Sequence, residues 1–393
     1  MKKAAINLPP ELLFEVLSCV PAKDLSKLRV VCKLWNSIIC DPSFHQYHLD
    51  QLRKKNINGY KYYLSSNGRG YFSSVIISSP KTLAFIDEIN LPNSHYDRAL
   101  NSIMSFAQIK NSIMARVDGV LLVRTTISHL GKYYANMIFL WNPTLGKVVD
   151  IPLSEPLMNK INNRSYRYWD IVFGFGFDSV SNIYKVVALY LEMNDLKTAV
   201  YNLSSRSWTP FERGLIIDDV KNFLHSTPHS LNFEGCVYWL ATLKIKGNNE
   251  THYLSFNLST EALTCSKLPD AKCDEDNQYV SRYLSVLYES LALVDCYHYC
   301  GDDLRGHIRV WIRRKDSTTS SEFSWVELYN LNCDNKYFIN LANNGSLYLR
   351  SSSVRRSPLS VYDLKTGKEE ACSNTSESIY PIDGYLGSLA LLT

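Results

Sequence analysis

Two sequence patterns recur in phase along most of this chain, and they constrain its fold more than any other feature. The first is a turn residue followed by an apolar strand, as in DGVLLV at 118–123 and NGSLYL at 344–349. Its turn positions are 57, 59, 55, 55 and 42 residues apart, at Gly119, Gly176, Gly235, Ser290, Gly345 and Gly387. The second pattern is an apolar strand, a turn and a polar strand, with turns at Asn142, Asn202, Asn257 and Asp363. A fixed period of this length indicates repeated supersecondary units.

The period fits a unit of four strands, which is the size of a propeller blade. We therefore predict an all-β, kelch-like propeller with six blades. Five units fit between about residues 106 and 373, and the strands near 60–91 would join the final strand, 379–393, in a sixth. That last blade would close the ring and remove exposed sheet edges. The alternatives are a two-sheet sandwich or two smaller β domains, but neither explains a fixed period.

Residues 6–48 have helical rather than strand periodicity. Leu12, Leu13, Val16, Leu17 and Val20 recur at helical spacing. Pro9 and Pro10 suit the first turn of a helix, and Pro21 is predicted to end that helix. A second apolar series follows at Leu25, Leu28, Val31, Cys32, Trp35, Ile38 and Ile39. These residues could only make a small core, or they could pack on the rest of the chain. Alternatively, part of the stripe is an interface for a helical partner.

This helical segment resembles an F-box. The matching positions are Leu8-Pro9, Val20-Pro21, Val31-Cys32-Lys33, Trp35, Pro42 and Phe44, with Val20 standing where Leu is commoner in the family. The resemblance implies a three-helix module that docks on a Skp-type adaptor and, through it, on a cullin–RING ubiquitin ligase. It also implies which residues face the adaptor: Leu8, Pro9, Leu12, Leu13, Val16, Leu17, Pro21 and Leu25. Four more would be shared between the small core and the interface: Leu28, Val31, Trp35 and Ile38.

The rest of the chain resembles the F-box-associated interaction domain of a large plant F-box group, which includes the pollen S-locus F-box proteins. The resemblance begins with WNPTLGKVVDIP at 141–152 and GFGFDSVSNIYKVVALY at 174–190, and it extends over most of 100–393. We therefore expect an F-box at 1–48, a linker at 49–61 and a propeller at 62–393.

The two resemblances together imply a substrate-recognition subunit of a Skp–cullin–F-box ubiquitin ligase, whose propeller binds a target protein for ubiquitination and proteasomal degradation. The alternatives are a scaffold that binds the adaptor without degrading anything, or an S-locus F-box protein that recognises an S-RNase.

Loops at one face of a propeller usually bind its partners. Long irregular segments lie at 153–168, 212–228, 267–283 and 315–324. The candidate target-binding residues are Lys160, Arg164 and Arg167 in the first segment, and Asp270, Asp274, Glu275 and Asp276 in the third. Because the two sets have opposite charge, they predict no single electrostatic class of target.

The composition disfavours several other classes of protein. Forty-two Lys and Arg against 38 Asp and Glu give a net charge of +4, too mild to predict a nucleic-acid partner. No run approaches the ~20 apolar residues of a membrane span, and the N-terminal sequence has no secretory signal. We expect a cytoplasmic or nuclear protein whose 10 cysteines are reduced.

No motif predicts catalysis. GFGF at 174–177 lacks the third glycine and the strand-to-helix setting of a nucleotide loop, and is better explained as a closely packed strand. Cys296, His298, Cys300 and His307 could be imagined as a zinc site, but a buried cysteine among packed aromatic residues is favoured. We therefore expect no catalytic residue, no metal and no cofactor.

Overall fold

The structure is a computed structural model that describes residues 8–55, 62–67, 74–78, 85–91, 108–129, 132–162, 171–192, 195–215, 229–245, 248–271, 278–299, 306–315, 323–351, 359–372 and 379–391. Four helices precede the first strand: α1 (Pro10–Ser18), α2 (Ala22–Leu28), α3 (Lys33–Ile39) and α4 (Pro42–Lys55). This is one helix more than predicted. The fourth helix continues through residues 49–55, which were expected to begin the linker.

Local sequence sets the helix boundaries. Pro10 occupies the first position of α1, where its missing N–H costs no hydrogen bond, and Glu11 lies near the positive helix end. Pro21, predicted to end the first helix, lies between α1, which ends at Ser18, and α2, which it directly precedes. Asp41 directly precedes α4 and caps its N-terminus, because its carboxylate accepts a hydrogen bond from the backbone N–H of Ser43 at 2.7 Å.

Five four-stranded antiparallel sheets, here called blades 1 to 5, are each built from strands consecutive in the chain. Blade 1 contains β4 (Gln108–Val117), β5 (Val120–His129), β6 (Lys132–Asn142) and β7 (Lys147–Ile151). Helix α5 (Glu155–Asn162) then precedes blade 2, with β8 (Ile171–Asp178), β9 (Ile183–Glu192), β10 (Asp195–Asn202) and β11 (Ser207–Leu215). Blade 3 contains β12 (Leu231–Phe233), β13 (Cys236–Ile245), β14 (Asn248–Asn257) and β15 (Leu263–Lys267). Blade 4 contains β16 (Gln278–Leu287), β17 (Ser290–Tyr299), β18 (Gly306–Lys315) and β19 (Phe323–Asn332). Blade 5 contains β20 (Lys336–Leu341), β21 (Ser346–Ser351), β22 (Leu359–Asp363) and β23 (Glu369–Ala371).

The remaining strands form a composite sheet from both ends of the β region. They are β1 (Tyr62–Asn67), β2 (Ser74–Ser78), β3 (Phe85–Asn90) and β24 (Ile379–Tyr385), in the order β24-β1-β2-β3. The structure therefore has five contiguous blades and not the six predicted, because the strands expected to make the sixth come from two distant parts of the chain and form this composite sheet. Its strand β24 contacts β20 of blade 5, and its Val75 and Tyr385 pack with Trp141 of blade 1.

The GFGF segment lies in β8, and its glycines allow blades 2 and 3 to approach closely. A Cβ on Gly174 would lie 2.4 Å from the Trp239 ring, and one on Gly176 would lie 2.3 Å from Leu258. The interpretation as a closely packed strand is confirmed.

The blade turns alternate between two faces because neighbouring strands are antiparallel. One face, the turn face, holds the tight turns after β4, β6, β8 and β10. The strands that end at Ile151, Leu215 and Lys267 point to the opposite face, here called the loop face, from which the chain crosses to the next blade. Three of the four predicted long segments leave from the loop face. The fourth, 315–324, leaves from the turn face, where β18 ends at Lys315. Among the described residues, no helix has the length and apolar character needed to span a membrane.

Candidate functional site

The four N-terminal helices share a small apolar core. Its buried residues are Leu13, Leu17, Ala22, Leu25, Ile39 and Phe44. The ring of Phe14 meets that of Phe44 edge-on at 5.0 Å. Two histidines of α4 tie the helices together, since Nε2 of His48 lies 2.9 Å from the Val20 carbonyl and Nε2 of His45 lies 2.6 Å from the Ile39 carbonyl. Burial lowers the pKa of His45.

The opposite side of α1 leaves an apolar stripe in solvent. Leu12 and Val16 lie one helical turn apart on α1 and are 53% and 56% exposed. Leu8, two residues before the helix begins, is 46% exposed. Pro9 and Pro21 are also exposed. These five residues are accessible to a partner as expected.

Three residues expected to face the adaptor are not exposed in this arrangement. Leu13, Leu17 and Leu25 are buried inside the helical module, at 4%, 1% and 0% exposure. Leu13 and Leu17 lie one position beyond Leu12 and Val16, so each is rotated by about 100° toward the core. In this arrangement they contribute to the module's own core, and their contact with an adaptor stays a prediction.

The four residues expected to be shared divide in the same way. Leu28, Trp35 and Ile38 are half-buried and pack on the core, whereas Val31 is 56% exposed. The sequence analysis missed Val30 and Leu34, which are also exposed in this module. They lie off the main helical period, so periodicity alone gave no signal for them.

The C-terminal segment enters the helical module. Leu389 is 2% exposed and belongs to the same core cluster as Leu13 and Phe44, and Leu145 of the β6–β7 turn packs beside them. No sequence pattern predicts this contact, because it joins residues more than 300 positions apart. The propeller therefore supplies part of the core of the N-terminal module.

Asp118, in the turn between β4 and β5, is a polar link between the two modules. Its carboxylate accepts a hydrogen bond from Arg53 of α4 at 2.7 Å and one from the Tyr184 hydroxyl at 3.3 Å. Burial, with Asp118 adjacent, raises the pKa of Tyr184. Arg53 lies in the segment 49–61 that was predicted to be a linker, and it instead connects α4 to the turn face.

The segment after β24, residues 386–391, crosses the turn face. It is held there by hydrogen bonds between side chains and backbone carbonyl groups. Asn142 donates to the Ser388 and Ala390 carbonyls at 3.1 and 2.8 Å, and the Ser388 hydroxyl bonds the Asp118 carbonyl. Gly119 has a positive φ of 77°, and a Cβ there would lie 1.9 Å from the Leu386 carbonyl oxygen. The recurring Gly and Asn of blade 1 thus position the tail that reaches Leu389.

Most of the candidate target-binding residues lie outside the described residues: Arg164, Arg167, Asp274, Glu275 and Asp276. Lys160 is in α5, and its side chain is likewise outside the described part. Asp270 is exposed and lies 3.3 Å from Lys267. The predicted role of these seven residues remains a prediction.

An aromatic stack is exposed on the loop face. The His298 ring lies between Tyr279 of β16 and Tyr337 of β20, with centroids 5.1 and 6.2 Å away. Both tyrosines are about half exposed, at 50% and 49%. We call Tyr279, His298 and Tyr337 the aromatic stack.

The possible zinc cluster is divided between two sides of blade 4. Cys296 is buried in the blade core, while His307 pairs across the sheet with Tyr297 and stacks on its ring at 4.1 Å. Since Cys296 and Tyr297 are adjacent in a strand, their side chains point to opposite faces. Cys300 lies outside the described residues, and within the described part of the chain no group of three ligands could hold a metal.

Comparisons with known proteins agree with this arrangement. The F-box domain family matches residues 6–47, and the F-box associated beta propeller domain family matches residues 71–380. Relatives from Arabidopsis thaliana include a probable F-box protein, 28% identical over 72% of this chain and 60% of its own length. A putative F-box only protein 9 is 27% identical over 83% of this chain and 76% of its own length. Among solved structures, TolB from Acinetobacter baumannii aligns with a TM-score of 0.45 and 9% identity, over 87% of this chain and 71% of that one. The chain belongs to the F-box-associated β-propeller family and carries an N-terminal F-box domain.

Proposed function

We propose that this protein is a substrate receptor of a Skp–cullin–F-box ubiquitin ligase. In this proposal the F-box binds a Skp-type adaptor and the propeller binds a target protein that is then ubiquitinated and degraded. The exposed stripe of Leu8, Leu12 and Val16 carries the proposal. It presents three large exposed apolar side chains, two of them, Leu12 and Val16, one helical turn apart on α1. The neighbouring Leu13 and Leu17 are buried in the core of the module.

The proposed interface suits a helical partner. Apolar residues at four-residue spacing form a continuous strip that an apolar groove or a second helix can cover. Because the core lies on the other side of α1, covering this strip requires no rearrangement of the F-box.

The loop face is the proposed side for the target. The F-box contacts the turn face through Leu145 and Asp118, so the loop face remains free on the other side of the ring. The aromatic stack lies there, and tyrosine is enriched at the energetic centres of protein interfaces. We also propose that the composite sheet acts as the sixth blade, because it fills the gap between blades 5 and 1.

The proposed mechanism is non-catalytic. A receptor of this kind raises the effective concentration of its target near the transfer machinery, and its own residues change no covalent bond. Proximity is most effective when the two binding modules hold a fixed relative position. The burial of Leu389 in the F-box core and the Arg53–Asp118 ion pair support such rigidity.

The test is the affinity of the full-length protein for a purified plant Skp-type adaptor, measured by calorimetry. Leu12→Asp and Val16→Asp each place a charge in the stripe. If the stripe is the centre of the interface, each change should cost more than about 2 kcal/mol, or roughly 30-fold in Kd. Val180→Asp is the matched control, because Val180 is an exposed apolar residue in a turn of blade 2.

Folding of each variant is checked by its unfolding midpoint, which should move little since these positions are exposed. Wild-type affinity in both stripe variants would contradict the proposed interface. Stabilisation of a captured target on adaptor depletion would separate a degradative receptor from a scaffold, since a scaffold predicts no change in target abundance.

A further inference from the structure

A cleft of about 760 Å³ lies between the F-box and the turn face of the propeller. Helix α4 forms one wall with His45 and Gln46, and the turn after β10 forms another with Ser204 and Arg206. Lys147 of β7 and the C-terminal tail complete the lining. The volume lies within the range typical of small-molecule sites, and both modules contribute to it.

Positive charge collects at this cleft. Lys147 and Arg206 line it, and Arg29 of the F-box acts electrostatically on both Lys147 and His45. Burial, followed by repulsion from the two arginines, lowers the pKa of Lys147. Three cations from two modules therefore lie near one another at a partly desolvated surface.

No carboxylate in the described part of the chain forms a salt bridge with these cations. The salt bridges among the described residues include none to Arg29, Lys147 or Arg206. Arg29 donates from Nε to the Asn36 amide oxygen at 3.0 Å, which leaves its charge uncompensated.

Two acidic groups must be weighed against the cations. Asp150 lines the cleft, and Asp41 lies next to His45, where its carboxylate is already occupied by the two hydrogen bonds from Ser43. The cations still exceed these acids by one charge, and an anionic ligand would relieve the remaining repulsion.

We propose that this cleft binds a small oxyanionic molecule bearing phosphate or carboxylate groups. Lysine and arginine recognise such groups through charge-assisted hydrogen bonds. Gln46, Ser204 and the Tyr201 hydroxyl supply further polar contacts around the cations. A ligand held between Lys147 of the propeller and α4 of the F-box would fix the two modules against each other.

The experiment is calorimetric titration of the full-length protein with pyrophosphate and, separately, with citrate at low ionic strength. We expect at least one of them to bind with a Kd below about 1 mM. Lys147→Gln and Arg206→Gln each remove one charge and should weaken binding at least about tenfold. Lys315→Gln is the matched control, because Lys315 is an exposed cation on β18 of blade 4.

Binding of pyrophosphate alone would assign phosphate chemistry, and binding of citrate alone would assign carboxylate chemistry. No binding of either anion up to about 10 mM would overturn the proposal. So would binding that Lys147→Gln and Arg206→Gln leave unchanged, since the anion would then lie elsewhere. Adaptor affinity should be the same in these variants, because the stripe on α1 is a separate surface, so the two proposals fail independently.

Discussion

The contribution of Leu389 to the F-box core gives a quantitative test of how the two modules are joined. Leu389 is 2% exposed and packs with Leu13 and Phe44, far from it in sequence. Truncating a buried leucine to alanine typically costs 2–5 kcal/mol. We expect the lower part of that range, about 2–3 kcal/mol, for Leu389→Ala.

That loss is large for a module of roughly 50 residues, whose own stability is of the order of 2–7 kcal/mol. Hydrogen exchange measured by mass spectrometry reports local opening directly. We expect the amides of α1 to α4 to exchange about 30- to 150-fold faster in Leu389→Ala. Amides in the central strands of blades 2 to 4 should keep their wild-type rates.

Leu391→Ala is the matched control for this experiment. Leu391 belongs to the same tail but packs against the core of blades 1 and 2, so its truncation should leave the helices unchanged. Wild-type exchange of α1 to α4 in Leu389→Ala would refute the reasoning, provided that Leu13→Ala accelerates it. The F-box core would then be self-sufficient and the tail contact incidental.

Two further predictions concern the turn face and the junction of blades 2 and 3. Gly119→Ala should destabilise the protein by several kcal/mol in urea unfolding, because the new Cβ would collide with the backbone of the C-terminal segment. Gly146→Ala is the control: Gly146 has a positive φ of 62° but no atom near its Cβ position, so the change should cost only about 1–2 kcal/mol. Lys185 lies 3.1 Å from Asp178 and 2.9 Å from Glu261, so Lys185→Met should leave a buried carboxylate and cost about 3 kcal/mol. Burial raises the pKa of Asp178, but hydrogen bonds from Lys185 and two serines outweigh it, so the net pKa is lowered from 3.8. The stability contributed by the ionised Asp178 is therefore present above about pH 4 and is lost as the pH falls. The urea concentration at the unfolding midpoint should decrease when the pH is lowered below 4, and it should decrease less in Lys185→Met.

The sequence predicts the repeating part of this fold well because each blade needs the same tight turns between antiparallel strands. The turns at Gly119 and Asn142 recur since tight turns favour residues that tolerate positive φ or bond the backbone with a side-chain amide. The composite sheet was also predictable, because two incomplete sets of strands have unpaired edges that can be satisfied by joining.

The side of α1 that faces the core could not be predicted in the same way. Leu12, Leu13, Val16 and Leu17 make both sides of the helix apolar, so the hydrophobic period does not distinguish a buried row from an exposed one. The choice depends on where α4 and the C-terminal tail pack, and those contacts are non-local. The extension of α4 into residues 49–55 was missed for a related reason. Arg53 in this segment pairs with Asp118, 65 positions away, and no local sequence pattern predicts that contact.

The two ends of the chain are coupled through one short segment. Strand β24 pairs with β1 to complete the composite sheet. The next residue, Leu386, crosses Gly119, and Leu389, four residues after the strand ends, is buried in the F-box. Displacing β24 from the ring would also withdraw Leu389, and the F-box would lose core contacts that its own helices cannot replace. The pairing of β24 and the stability of the F-box are therefore linked. In the receptor proposed above, loss of this pairing would also weaken the module proposed to bind the adaptor.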